Sequence, residues 1–187
     1  MARPTAHRRS GDIQLELNTL LWPRGPEQSN NAYLTLNEEL IETSNCSSEK
    51  FKYIITFKLV SFAVEIFKYK KARDNYSNKR KSLALEILGN ISNYYDVPEA
   101  LDLCTLSLKS RRKTLILAAL EFQQTYMRNR GASLNPELIE ILDKIILQTK
   151  DRSVAVGSLD IQVKSGNVTE FEALARIDEW KEKNDSW

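Results

Sequence analysis

One histidine, His7, and two cysteines, Cys46 and Cys104, are all that a chain of 187 residues carries of those two types. A single imidazole near the N-terminus removes most histidine-based acid–base catalysis and nearly all His/Cys zinc sites. The two thiols are far apart and have no metal-ligand spacing. A disulfide framework is therefore not supported, and a reducing compartment is the expected setting. Cys104 reads as a small core residue, Cys46 as a surface thiol in the polar turn SNCSSEK. Glycine-rich phosphate loops, GxSxG and CxxC are absent, so no catalytic residue, cofactor-binding residue or metal ligand is assigned.

Long apolar runs are missing too. The strongest candidate, YIITFKLVSFAVEIF at 53–67, is shorter than a span of about 20 residues and carries Lys58 and Glu65. Lys58, Ser61, Glu65 and Lys68 recur at helical spacing as one narrow polar stripe, which describes a core helix. The N-terminus MARPTAHRRSGD is basic but has no apolar h-region, so no secretory signal is read and a cytoplasmic location is expected, with a nuclear or organellar one as the alternative.

Charge is nearly balanced, at a formal +2, which does not by itself indicate a nucleic-acid binder. Its distribution is uneven. In KYKKARDNYSNKRK, residues 68–81, seven basic residues face one acid, Asp74, whereas the chain from about Glu137 onward leans acidic. Electrostatic function belongs in the middle of the chain.

Glycine and proline thin out after Glu49, and the remainder reads as helix, turn, helix. Helices are expected at about 49–73, 78–95, 98–108, 110–129, 135–149, 152–164 and 169–184. Pro98 and Pro136 suit first helical turns, with Asn135 as a cap. Gly131 and Gly166-Asn167 suit helix stops, and Thr169 with Glu172 has capping-box spacing. Residues 1–45 form an irregular extension, a possible cap, and 46–187 a helical domain.

Three stretches repeat: KRKSLALEIL at 79–88, RRKTLILAAL at 111–120 and KDRSVAVGSL at 150–159. Their spacing falls in the range of two-helix repeats. VPEALDL at 97–103 and NPELIEI at 135–141 precede two of them. The unit is a first helix, a basic turn and a more apolar second helix, a solenoid signature. Stacked hairpins would place Leu83, Leu85, Leu88, Leu115, Leu117, Leu120, Val154, Val156 and Leu159 in one core.

On these residues, about 50–165, the chain resembles HEAT repeats and related armadillo-like proteins. The resemblance implies an all-α fold, a short right-handed α-α superhelix of HEAT-like hairpins with an irregular N-terminal extension. The family usually stacks a turn Asp and an early second-helix Arg into a ladder; here only Asp151-Arg152 approaches that pattern. It also implies a non-enzymatic scaffold or adaptor that binds a protein partner.

Stacked turns would also gather Lys79, Arg80, Lys81, Arg111, Arg112, Lys113, Lys150 and Arg152 into a basic ridge. That ridge has two readings: solvated turns that keep the solenoid soluble, or a grip on an acidic protein or a nucleic acid. Some proteins of this architecture are alkylpurine DNA glycosylases, so an enzyme is a third possibility, although no catalytic carboxylate is assignable. Glu137, Glu140 and Asp143 read as a solvated helix face. Trp180, after Phe171, Leu174 and Ile177 in steps of three, reads as the anchor of the final helix.

Overall fold

The computed structural model describes residues 60, 61, 63, 64, 67, 75–92, 96–131 and 133–184. The readings of residues 1–45, of Cys46 and of most of the 49–73 helix, with Lys58, Glu65 and Lys68 of its polar stripe, lie outside them. Every regular element among the described residues is helical, in agreement with the all-α expectation. They are α1 (Asn75–Ile91), α2 (Pro98–Leu108), α3 (Lys113–Arg130), α4 (Pro136–Gln148), α5 (Arg152–Lys164) and α6 (Glu170–Asn184). No described helix is long and apolar enough to cross a membrane. The chain divides into two compact units, Met1–Val97 and Pro98–Trp187.

In the first unit, α1 buries Ala84, Leu85, Ile87, Leu88 and Ile91, and Ala63 and Phe67 are buried as well. The helix starts at Asn75, so Lys79, Arg80 and Lys81 lie beyond its first turn. The expectation that they occupy an inter-helix turn is corrected accordingly.

The second unit is built from two helical hairpins. Helix α2 packs on α3 and α4 on α5, each pair joined by a short turn; α3 also packs on α5, α2 on α4, and α6 on α5. The boundaries follow from local chemistry. Asn135 Oδ1 accepts from Leu138 N at 2.7 Å and Pro136 opens the helix. Gly131 ends α3 at φ +61°, a left-handed conformation that costs glycine nothing, and its N–H returns to Met127 O. At α6, Glu172 Oε2 accepts from Thr169 N at 2.9 Å while Thr169 Oγ1 accepts from Glu172 N at 3.2 Å, a complete capping box.

The two hairpins bury equivalent positions. Leu115, Ala119, Leu120, Phe122 and Gln123 in α3 correspond, at one constant offset, to Val154, Ser158, Leu159, Ile161 and Gln162 in α5. Ala100, Cys104 and Leu108 in α2 correspond in the same way to Leu138, Leu142 and Ile146 in α4. Even the buried amides serve the same purpose. Cys104 Sγ reaches Gln123 Oε1 at 3.9 Å, and Gln162 Nε2 donates to Asp143 Oδ1 at 3.0 Å, so each glutamine faces the first helix of its own hairpin. Helices α3 and α5 approach closely at Gly157, where a Cβ would stand 3.1 Å from Leu120 Cδ1.

Three core expectations are corrected. Leu83 and Leu117 are half-buried and Val156 is 43% exposed. In the two hairpins the third residue of each apolar triplet stands about 200° round the helix from the first, which faces the core. When KRKSLALEIL is aligned on RRKTLILAAL, the burial pattern of α1 is also turned by one position relative to α3. The 79–88 copy therefore shares residue types with the other two, and the buried final leucine (Leu88, Leu120 and Leu159), but not the whole of their buried face.

Candidate functional site

The predicted cations fall into three environments. Lys79 is exposed, and Arg80 and Lys81 are half-buried. The Lys81 ammonium stands 5.7 Å from the Phe67 ring centroid, a packing use of that charge. These three belong to the first unit; the other five belong to the second.

In the second unit the α2–α3 turn, 109–112, and the α4–α5 turn, 149–151, are brought together. Lys113 Nζ pairs with Asp151 Oδ2, and Lys109 Nζ lies 3.0 Å from Glu137 Oε1. Asp151 also caps α5, accepting from Ser153 N at 3.0 Å and Val154 N at 3.3 Å, with the Ser153 hydroxyl as a further donor. The Lys113 ammonium first, and then the Ser153 hydroxyl, hold the Asp151 carboxyl down to about 2. Helix α3 lacks such a cap: Arg112 occupies the position without a side-chain bond, and no acid stands in the first turn. Arg111, Arg112, Lys150 and Arg152 are exposed, and no carboxylate of the described residues pairs with them.

A second feature lies between α4 and α6, where an open groove of about 360 Å³ is lined by Asp143, Ile146 and Leu147 of α4 and by Arg176, Glu179, Trp180 and Lys183 of α6. Trp180 forms its floor. It is the one residue of α6 that is buried outright, at 7% exposure, and its indole N–H donates to Thr149 O at 2.9 Å. Arg176 Nη1 reaches Asp143 Oδ1 at 2.9 Å, the same oxygen that accepts from Gln162. This three-helix link sets the spacing of α4, α5 and α6. At the rim Leu147 is 69% exposed. Lys183 Nζ stands 3.4 Å from Leu147 O.

The acidic trio expected on α4 divides by role. Glu137 and Glu140 are exposed and pair with lysines; the Lys144 ammonium beside Glu140 lowers its carboxyl. Asp143 instead belongs to the inter-helix link. Trp180 anchors α6 as expected, but Phe171 and Leu174 are not part of the anchor, being 82% and 65% exposed. Phe171 lies roughly half a turn of the helix from Trp180, on the face away from the groove.

The groove was not foreseen. Its one signal was Leu147, an apolar residue just off the buried stripe Leu138, Leu142, Ile146. Cys104 is buried with Sγ 3.3 Å from Ala119 O, and burial pushes its thiol up, away from the reactive thiolate. No group of three or more His, Cys, Asp or Glu side chains among the described residues is placed to hold a metal ion. Comparison with protein-family models, curated proteins and solved structures finds no match for this chain.

Proposed function

We propose that this chain is a HEAT-like helical-repeat adaptor that binds a protein partner in the groove between α4 and α6. The observation that carries the reading is the groove itself. An open, mostly apolar depression with a tryptophan floor and an exposed leucine at its rim has the anatomy of an interaction anchor. The repeat side of the reading rests on the hairpins α2–α3 and α4–α5, whose buried positions recur and whose equivalent helices touch. The Lys113–Asp151 pair is one rung of the kind of ladder that HEAT-like turns build. The pairing of Lys109 and Lys113 with acids removes two cations from any ridge that could track a polyanion, which favours a protein over a nucleic acid.

Affinity capture with the full chain, after nuclease digestion, tests the proposal. The expected outcome is a protein retained by the natural chain and lost with Leu147→Asp, a rim substitution that leaves the core untouched. A retained set that disappears on nuclease treatment, or that ignores Leu147→Asp, would overturn it.

A further inference from the structure

The groove ends beside the α4–α5 turn. Leu147 lines it, and the Thr149 carbonyl is held by the indole of its floor. Lys150 follows immediately, and Arg152 opens α5 two residues later. The α2–α3 turn with Arg111 and Arg112 is drawn alongside by the Lys113–Asp151 pair. Asp151, the one acid within the α4–α5 turn, is already engaged by Lys113, Ser153 and the α5 backbone. The depression thus ends beside a turn that carries Lys150 and Arg152, both exposed and with no carboxylate partner among the described residues; Arg111 and Arg112, on the neighbouring turn, are likewise exposed and without one. Within the groove formal charge is balanced: Asp143 is tied to Arg176, and Glu179 and Lys183 both line it, with Lys183 Nζ directed to the Leu147 carbonyl.

We infer that the partner's segment is a short peptide in which a bulky apolar residue is followed by a cluster of acidic residues. The apolar side chain sits against Ile146, Leu147 and Trp180, and the carboxylates lie over Lys150 and Arg152, with Arg111 and Arg112 beyond. Burial of the apolar anchor supplies affinity, and the charges fix direction and speed encounter. A peptide suits the site better than a nucleic acid: Lys150 and Arg152 flank one end of an apolar depression, and neither the 109–112 turn nor the 149–151 turn carries an aromatic side chain for base stacking. The inference rests on the adaptor reading, since it names the chemistry of that groove's occupant.

A random peptide library displayed on phage and panned against the full chain tests it, followed by fluorescence anisotropy on the enriched peptide. The expected consensus is an apolar residue with acids to one side. Its affinity should fall about tenfold or more with Leu147→Asp and with Lys150→Glu/Arg152→Glu, and it should weaken with added salt. Circular dichroism of the variants, unchanged from the parent, excludes unfolding as the cause. An apolar consensus without acids, indifferent to the Lys150/Arg152 change, would overturn the inference and leave the adaptor reading standing. No enriched peptide sensitive to Leu147→Asp would overturn both. A short DNA duplex that binds through Lys150 and Arg152 while acidic peptides do not would overturn the inference in favour of a nucleic-acid edge.

Discussion

Asp151 serves two helices of the second unit at once. It caps α5, neutralises Lys113 and so ties the two turns together. Its carboxyl titrates at about 2 in the folded chain, below the ordinary 3.8. A depressed folded value means that the contribution is fully present above the ordinary carboxylate range. It is lost as pH falls through about 4 and on toward 2. Asp151→Ala should destabilise by roughly 1–2 kcal/mol at neutral pH, the cost of a lost cap and an orphaned lysine. Asp151→Asn should retain most of the cap but lose the ion pair, and with it this part of the acid sensitivity. Urea unfolding at pH 7 and pH 3 checks both. A parent chain that loses no more stability than Asp151→Asn between those values would disprove the role. In the sequence Asp151 is a turn aspartate before a helix, so its cap was legible. Its lysine partner was not, because Lys113 lies far along the chain and meets it only when the hairpins stack.

Helices show the same division between local and distant causes. The starts of α4 and α6 and the stop of α3 were readable because each depends on residues within one turn: Asn135-Pro136, Thr169 with Glu172, and Gly131. Which face each helix buries was less legible. Leu115-Ile116-Leu117 and Val154-Ala155-Val156 are apolar throughout, and only the packing of α3 on α5 decides that Leu117 and Val156 turn away from the core. The basic clusters misled for a similar reason. Lys79, Arg80 and Lys81 match the turn pattern by residue type, yet α1 begins before them. Gly157 shows how tightly the packing is set. Alanine there gains about 1 kcal/mol of helix propensity, offset by pressure on Leu120, and should be close to neutral. Valine cannot be accommodated by a small shift of one methyl group and should cost about 2–3 kcal/mol. Thermal unfolding of the two variants would separate these cases. Equal melting temperatures would mean that α3 and α5 do not approach as closely as Leu120 and Gly157 indicate.

For the molecule as a whole, the second unit carries the elements of an independent fold. Its hairpins bury Cys104, Leu108, Phe122, Leu142 and Ile161 in a shared interior, and its buried amides and hydroxyls are satisfied within it. Trp180 closes one side by laying α6 over the α4–α5 hairpin. A chain of this size buries enough surface to be stable alone, though by a narrow margin. Residues 98–187 expressed alone should therefore be helical by circular dichroism and unfold in one cooperative transition. Trp180→Ala in that fragment should remove about 3–5 kcal/mol, most of what such a fold has. Trp180→Phe should retain much of the packing and lose the bond to Thr149, giving an intermediate loss. Tryptophan fluorescence separates the outcomes, since Trp180 and the terminal Trp187 are the only indoles in the fragment. If the emission of a Trp187→Phe fragment is already solvent-like before unfolding begins, α6 does not dock and the groove is not a standing feature. If emission and helicity change together, the helix that forms one wall of the groove is part of the same cooperative structure as the hairpins, and the site is present before any partner arrives.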